Sequence, residues 1–254
     1  MIEIKVKGIL LAGGEGSRLL PLTKHTNKTL IQVCGVPIID YAMEKFRQAG
    51  ITEIVIIGNK FTEQIINHLE GGESEETIHY VVEEEPRGVL NAVRLARPYV
   101  EGCRILLYFS DNITNYDFNS DVERFSNDRI TNPGAVFLTR PVDDPSSFGI
   151  CKINSQGQLI DIVEKPVDPP SNIAIGGIYL YDEMFWEYFD RTICEMDRGI
   201  SISDINRMYL KESKVKMHNL GDCTWVDCGT SEGLLEATRL VSDGIIAVAE
   251  TGDI

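Results

Sequence analysis

The sequence predicts an α/β fold, a mostly parallel sheet flanked by helices, with a small antiparallel lobe in its second half. Three observations carry that expectation. From Val6 to Phe109, short β-branched runs alternate with helix-patterned segments, the order that yields a parallel sheet covered on both faces. The first run leads straight into Gly13, Gly14 and Gly16, where a ligand-facing loop belongs in such sheets. From Gly134 onward, strand-like runs are separated by turn residues such as Asn154-Ser155-Gln156-Gly157 instead of by helices, which favours antiparallel pairing.

In chain order, Val6 to Leu11 reads as a buried first strand. Pro37 to Ala49 carries Ile38, Tyr41, Ala42, Lys45 and Phe46 at helical spacing and stops at Gly50. Ile54 to Ile57 is then a strand, Phe61 to Leu69 a helix, Ile78 to Val82 a strand, Asn91 to Tyr99 a helix and Ile105 to Phe109 a strand. In the second half, Ala135 to Thr139, Gly149 to Ile153 and Leu159 to Val163 are strand-like, the last two forming a hairpin. Ile175 to Tyr181 is an apolar strand, and Met184 to Phe189, Ile202 to Leu210 and Glu232 to Val241 are helices.

A chain of 254 residues holds one large α/β domain, or a domain with a smaller lobe, but not two substantial domains. The net charge of −15 argues against a nucleic-acid partner, because the mean field repels phosphates. A small anionic ligand stays compatible with it if the few cations are focused in one cleft. The acidic surplus between Glu73 and Glu85 reads as a solvated face. No apolar run is long enough to span a bilayer, and MIEIKVKG lacks a signal-peptide layout, so a cytoplasmic protein without a membrane partner is expected. Cys34, Cys103, Cys151, Cys194, Cys223 and Cys228 are dispersed with no CxxC pair, which predicts buried free thiols in a reducing compartment.

The most informative stretch is residues 9 to 28, ILLAGGEGSRLLPLTKHTNK. Glycines there let backbone N–H groups approach a ligand without a Cβ in the way, the arrangement that cradles phosphates. Arg18 follows the loop and Lys28 comes ten residues later. Arginine offers phosphate a fork of donors and lysine a mobile point charge, so the pair suits a polyphosphate. A Walker loop would need Lys and Ser or Thr directly after the last glycine, and Ser17-Arg18 stands there. The glycines also miss the GxGxxG register of a dinucleotide fingerprint.

The string LAGGEGSRLLPLT with Lys28 resembles the signature of the sugar-phosphate nucleotidyltransferases, most closely the glucose-1-phosphate thymidylyltransferase group. The resemblance runs from about Lys7 to Ala237. It implies a Rossmann-like fold in one nucleotidyltransferase domain over residues 1–254, with a nucleotide-binding half up to about residue 133 and a sugar-phosphate-binding half after it. It also implies that a nucleoside triphosphate and a sugar 1-phosphate are joined with release of pyrophosphate. On this basis Leu11, Ala12, Gly13, Gly14, Gly16 and Ser17 line the nucleotide, and Arg18 and Lys28 are catalytic.

Later motifs extend the match. The strand at Ile105 to Phe109 ends in Ser110-Asp111-Asn112, where a carboxylate either holds Mg²⁺ against phosphate oxygens or caps the next turn. It is similar to the family's GDN, with Ser110 for glycine. Trp225-Val226-Asp227-Cys228-Gly229-Thr230 resembles WxDxGT, which makes Asp227 the second metal ligand beside Asp111. Glu164-Lys165-Pro166 reads by itself as a charged turn, but the resemblance implies that Gly149 and Glu164 meet sugar hydroxyls and that Lys165 meets the sugar phosphate. Asn172 and Gly177-Ile178-Tyr179 resemble SNxAxxGxY, whose glycine lies against the sugar. Asn112 and Trp225 join the sugar-phosphate side on the same ground.

Two departures stand out. Glu83-Glu84-Glu85-Pro86-Arg87-Gly88 aligns with QPSPxG of thymidylyltransferases, so Glu83 occupies the place of a glutamine, while Gly88 is retained to let the base approach the backbone. An amide offers thymine or uracil a donor and an acceptor, whereas a carboxylate only accepts. Glu83 therefore suits the amine of cytosine, or N1–H and the amine of guanine, unless it is a solvent-facing member of an acidic turn. In RGISISD, residues 198 to 204, Ser201 stands where the family has a further acidic residue.

The expected reaction is transfer of a nucleotidyl group, first choice from dTTP, to a sugar 1-phosphate, first choice glucose 1-phosphate, with Mg²⁺. A cytidylyl- or guanylyltransferase of the same fold is the alternative. A non-catalytic sugar-nucleotide sensor would not need Arg18, Lys28, Asp111, Lys165 and Asp227 together, and a glycosyltransferase would have no use for the Arg18 and Lys28 pair. Hexapeptide repeats are lacking, so no acyltransferase activity is expected. A homo-oligomer is compatible with the sequence.

Overall fold

The computed structural model describes residues 5–70, 76–127, 133–195, 200–212 and 214–249. The acidic residues Glu73 and Glu75, and Arg198 and Gly199 of RGISISD, lie outside the described residues. In chain order the elements are β1 (Val6–Ala12), β2 (Gln32–Val33), β3 (Val36–Pro37), α1 (Ile38–Gln48), β4 (Glu53–Gly58), α2 (Thr62–Leu69) and β5 (Thr77–Val82). They continue with α3 (Val89–Val100), β6 (Arg104–Phe109), β7 (Asn112–Thr114), α4 (Asn119–Asn127), β8 (Ala135–Pro141), β9 (Gly149–Ile153) and β10 (Leu159–Glu164). The last are β11 (Ile173–Tyr181), α5 (Phe185–Glu195), α6 (Ile202–Lys211), β12 (Val215–Asn219), β13 (Trp225–Asp227) and α7 (Ser231–Ser242).

The main sheet runs β10-β9-β11-β6-β1-β4-β5, with β8 pairing both β11 and β12. Strands β6, β1, β4 and β5 are parallel neighbours. Successive residues of these strands serve opposite faces. Ile9, Val55, Ile105 and Leu107 pack beneath α3, α5 and α6 with Val93, Phe185, Trp186 and Tyr209. Leu10, Ile54, Ile56 and Leu106 pack on the other face with Met43 and Phe46 of α1 and with Phe118, Val122 and Phe125. Burial on both faces explains the apolar runs Ile9 to Leu11 of β1, Ile54 to Ile57 of β4 and Ile105 to Phe109 of β6.

The antiparallel pairing expected after Gly134 is present, and its strands continue the same sheet. Strand β11 pairs β6 through Ile178 to Tyr181 and pairs β9 through Ala174 and Ile175, so its first half projects past the end of β6. The β9–β10 hairpin forms as expected, Gly149 facing Glu164 at its open end. Six elements had no signal in the sequence: α4, the edge strand β12 (VKMHN), and the short strands β2, β3, β7 and β13, of which β2 pairs β3 and β7 pairs β13, both antiparallel. Among the described residues no helix is long and apolar enough to cross a membrane.

The cysteines are free, but only Cys151 and Cys228 are buried; Cys34 and Cys194 are exposed. Dispersed thiols excluded a zinc or disulfide framework, and nothing in their spacing told core from surface.

Gly8 on β1 lies against Phe46 of α1, and a Cβ added there would sit 2.7 Å from Phe46 Cε1 and 3.2 Å from Ile54 Cγ1. Neither neighbour has room to retreat, since both are fully buried. Gly8→Ala is expected to destabilise the protein by about 1–3 kcal/mol through overpacking. Urea unfolding checks this, and an unchanged midpoint would show that the helix can move off the strand at no cost.

Candidate active site

In a parallel sheet, polar groups gather beyond the carboxyl ends of the strands, at the point where strand order reverses. That point is β1, flanked by β4 on one side and β6 on the other. Ala12 is in register with Gly58, and Gly58 with Val82, so Gly13, Asn59 and Glu83 leave their strands side by side. Leu11 is level with Phe109, which brings Ser110 and Asp111 to the same rim.

The glycine loop is tied down from behind. Ser110 donates its N–H (3.1 Å) and Oγ (2.6 Å) to the Leu11 carbonyl, and Asn27 Nδ2 donates to the Ala12 carbonyl at 2.9 Å. Asn59 Nδ2 donates to the carbonyls of Gly13 (3.2 Å) and Gly14 (3.4 Å). Gly16 has φ +64°, a left-handed turn that other residues adopt at a cost, and its carbonyl accepts from Thr23 Oγ1 at 2.8 Å. Ser17 and Arg18 are exposed on the single 3₁₀ turn that follows, which buried Leu19 anchors.

Lys28 opens a second 3₁₀ turn, capped by Asn27, whose Oδ1 accepts from Thr29 N and Thr29 Oγ1, both at 2.9 Å. Because the same Asn27 holds Ala12, Lys28 is fixed relative to the loop. A Cβ on Gly14 would lie 3.0 Å from Lys28 Nζ. The Lys28 ammonium donates to Asp111 Oδ2, both side chains being largely buried.

Asp111 and Asp227 come together through the β7–β13 pair, in which Asp227 is opposite Asn112 and Cys228 N donates to the Asp111 carbonyl at 2.7 Å. Gly229 marks where the charged groups converge. A Cβ there would sit 2.8 Å from Asp227 Oδ1, 2.9 Å from Arg18 Nη2 and 3.3 Å from Asp111 Oδ2. Burial raises the Asp227 carboxyl above its ordinary range and the Asp111 charge raises it further, while the Gly229 N–H, Lys28 and Arg18 pull it back. Two carboxylates forced together in this way gain from a bound cation. Among the described residues no cluster of three or more His, Cys, Asp or Glu side chains could hold a metal. The Asp111 and Asp227 pair suits a hard divalent cation that takes one or two carboxylates and completes its shell with phosphate oxygens and water.

Asn112 connects this charged pair to the second half. Its amide donates to the Phe109 carbonyl (2.9 Å) and Asp111 Oδ1 (2.8 Å) and accepts from Gly177 N (3.3 Å) and from Trp225 Nε1. A Cβ on Gly177 would meet Asn112 at 2.9 Å, so only glycine fits there. Trp225 is also in edge contact with Phe148, at 5.4 Å between ring centroids. Gly149 follows Phe148, and a Cβ on it would lie 3.1 Å from Ser203 Oγ and 3.4 Å from Glu164 Oε2. Ser203 donates to Glu164 Oε2 at 2.6 Å. Lys165 is exposed, holds φ +42°, and donates its N–H to the Phe148 carbonyl at 2.9 Å.

Glu83 does not face solvent. It is 8% exposed, its Oε1 accepting from Asn91 Nδ2 (2.8 Å) and the Arg87 N–H (3.4 Å), and its Oε2 lies 3.5 Å from where a Gly13 Cβ would be. The acidic-turn reading fails because Asn91, on the first turn of α3, turns the carboxylate inward. Gly88 is exposed with φ +96°, and its carbonyl accepts from Asn91 N at 3.0 Å as α3 begins. Ser201, at the other departure, caps α6: its N–H donates to Asp204 Oδ2 at 2.7 Å.

Three groups of residues thus assemble: the loop with Arg18, Lys28, Asp111 and Asp227; Asn112 with Gly177 and Trp225; and Gly149 with Glu164. Lys165 and Gly88 flank them on exposed backbone. Asn27, Asn59 and Ser203, which hold the loop and Glu164, were not foreseen. The one available signal for Asn59 was its place directly after a parallel strand.

The family model described as nucleotidyl transferase matches residues 7–244 of the chain. The chain is 34% identical over 239 residues to a glucose-1-phosphate thymidylyltransferase of Xanthomonas campestris pv. campestris, covering 92% of this chain and 80% of the relative. It is 33% identical over 238 residues to a low-salt glycan biosynthesis nucleotidyltransferase of Haloferax volcanii, covering 93% of this chain but only 66% of that protein. Among solved structures, a Bacillus anthracis protein assigned as a glucose-1-phosphate thymidylyltransferase, in complex with sucrose, superposes with a TM-score of 0.84 at 36% identity over 94% of this chain and 96% of the other. A UDP-glucose pyrophosphorylase complexed with UDP-glucose shares the fold, with a TM-score of 0.80 at 20% identity, over 94% of this chain and all of the other. The chain belongs to the nucleotidyl transferase family and is a sugar-phosphate nucleotidyltransferase.

Proposed function

We propose that the protein transfers a nucleotidyl group from a nucleoside triphosphate to a sugar 1-phosphate, with dTTP and glucose 1-phosphate as first choices. The observation that carries the reaction is the convergence of Arg18, Asp111 and Asp227 on Gly229, with Lys28 on Asp111. The choice of substrates rests on the names of relatives such as the Xanthomonas enzyme. A single domain working in the cytoplasm, its first half on the nucleotide and its second on the sugar phosphate, belongs to the same reading.

The sugar phosphate oxygen attacks the α-phosphorus in line. One P–O bond forms to the incoming phosphate, the bond between the α- and β-phosphates breaks, and its electron pair leaves with pyrophosphate. The nucleophile is already an anion, so the task is to gather anions and hold them in line. The N–H groups of the loop from Leu11 to Ser17 and the Arg18 guanidinium hold the triphosphate, and Lys28 moves from Asp111 to the α-phosphate as charge builds there. Asp111 and Asp227 would hold Mg²⁺, which when bound supplies Lewis-acid neutralisation of phosphate oxygens. Lys165 meets the sugar phosphate, and Glu164 and the backbone at Gly149 and Gly177 meet the sugar, with Asn112 and Trp225, hydrogen-bonded to each other, holding that side of the site.

A second reading of the base is favoured by Glu83. With Oε1 taken by Asn91 and Arg87, Oε2 is an acceptor left beside Gly13. An amine of cytosine or guanine complements it, while thymine O4 would set acceptor against acceptor. A buried polar group left unpaired costs about 1–3 kcal/mol, up to about a hundredfold in preference.

Asp111→Asn and Asp227→Asn are each expected to lower pyrophosphate release by about 10²- to 10³-fold, the usual loss for one transition-state contact, with the far-UV spectrum unchanged. Full turnover by either variant at limiting Mg²⁺ would remove that carboxylate from the site. Comparing kcat/KM for dTTP, UTP, CTP, GTP and ATP in wild type and Glu83→Gln decides the base. The variant is expected to shift toward dTTP and UTP if Oε2 reads the base; an identical ranking in both proteins means that it does not.

A further inference from the structure

The glycine loop can cradle phosphate only if its N–H groups face the cleft, and glycine has no side chain to fix that orientation. Among the described residues the N–H groups of Gly14, Glu15 and Gly16 make no hydrogen bond, so nothing on the donor side orients them. The carbonyl side is different. In a trans peptide C=O and N–H point in opposite directions, so holding the carbonyl of residue i from behind turns the N–H of residue i+1 forward. Asn59 Nδ2 reaches both the Gly13 carbonyl (3.2 Å) and the Gly14 carbonyl (3.4 Å), which turns the N–H groups of Gly14 and Glu15 away from Asn59.

The orientation of the Asn59 amide is itself fixed. Its Oδ1 accepts from Phe61 N at 2.9 Å and from Asn27 Nδ2 at 3.3 Å, so the NH₂ must face the loop. Asn27 in turn holds the Ala12 carbonyl and is fully buried. The two asparagines therefore form one bracket behind the loop, mounted on the ends of β4 and of the Lys28 segment.

We propose that Asn59 is a positioning residue for triphosphate binding, acting by turning the peptide groups after Gly13 and Gly14 so that two N–H groups face the phosphates. The proposal rests on the nucleotidyl transfer reading above. It assigns Asn59 no contact with substrate, and it predicts an effect confined to the nucleotide side.

Asn59→Ala removes both donors without adding charge. Asn59→Asp keeps the acceptor for Phe61 and Asn27 and places an acceptor against the two carbonyls. Direct calorimetric titration with the magnesium complexes of dTTP, UTP, CTP and GTP, followed by steady-state kinetics with glucose 1-phosphate, separates the outcomes. Both variants are expected to bind the preferred triphosphate about tenfold or more weakly at low and at high salt, the scale of a lost hydrogen bond, with KM for glucose 1-phosphate within about twofold of wild type. Wild-type affinity in Asn59→Ala overturns the proposal. So does a loss seen only in Asn59→Asp and restored by salt, because that is charge repulsion and not peptide orientation. An equal rise in KM for both substrates overturns it as well, since it marks a general loosening of the cleft. A wild-type protein that binds none of the four triphosphates overturns the reaction reading itself, and the proposal with it.

Discussion

The four hydrogen bonds of the Asn112 side chain hold the two halves of the site in register. A primary amide has two donors and two acceptor lone pairs, and here all four are used inside a side chain that is 2% exposed. The partners come from β6, β11 and β13 and from the neighbouring Asp111, so one residue joins the end of a parallel strand to an antiparallel strand and to a distant short one. The need is plain from lengths: β7 and β13 have three residues each, and so short a pair is not stable by itself. Without the amide, Trp225 Nε1 and the Gly177 N–H would lose their buried partner, a cost of about 1–3 kcal/mol each. The same pairing sets Asp227 opposite Asn112 and hence beside Asp111, so the carboxylate pair depends on a fold contact and not on any charge of its own.

That dependence explains how a chain of net charge −15 can be organised around anions. Screening at physiological salt limits the reach of exposed charges to about 8 Å, so the acidic surface contributes little inside the cleft. Local composition decides instead. Arg18 and Lys28 bracket the carboxylate pair, and loop N–H groups add partial positive charge with no side chain at all. Lys28 donates to Asp111, so one carboxylate of the pair is matched directly by a cation. The Asp227 carboxyl is raised first by burial and second by the Asp111 charge, against the pull of the Gly229 N–H, Lys28 and Arg18.

The sequence was readable where structure follows from local pattern. Ile9 to Leu11 is apolar without a break because β1 is covered on both faces, and Pro37 to Ala49 shows helical spacing because α1 has one face on the sheet. The loop, Asp111 and Asp227 were legible through motif resemblance, which carries long-range information that periodicity lacks. What could not be read depends on partners far away in the chain. Strand β12 is polar because it pairs on one side only, with β8, and α4 buries little beyond Val122 and Phe125. Glu83 looked like a member of an exposed acidic run; it is buried because Asn91, on the next helix, accepts the cost by donating to it. Ser203 reaches Glu164 across 39 residues, and no local feature of SISD announces that contact.

The two halves of the cleft obey different rules because their strands run in different directions. Strands β1, β4, β5 and β6 all end at one rim, so the residues just past each end, Gly13, Asn59, Glu83 and Asp111, meet there whatever the loops do next. Strand β11 runs the other way and crosses the rim in mid-strand, at the register irregularity between Ile175 and Tyr179. A strand interior cannot offer a free end; it can offer only a face. Gly176 and Gly177 fall at that crossing, where Trp225 and Asn112 lie against the backbone and a Cβ on Gly177 would come within 2.9 Å of Asn112. Mid-strand glycine normally weakens a sheet, so its presence marks a place where another group must approach the backbone. The first half of the cleft is thus built from what strands release and the second from what a strand leaves out.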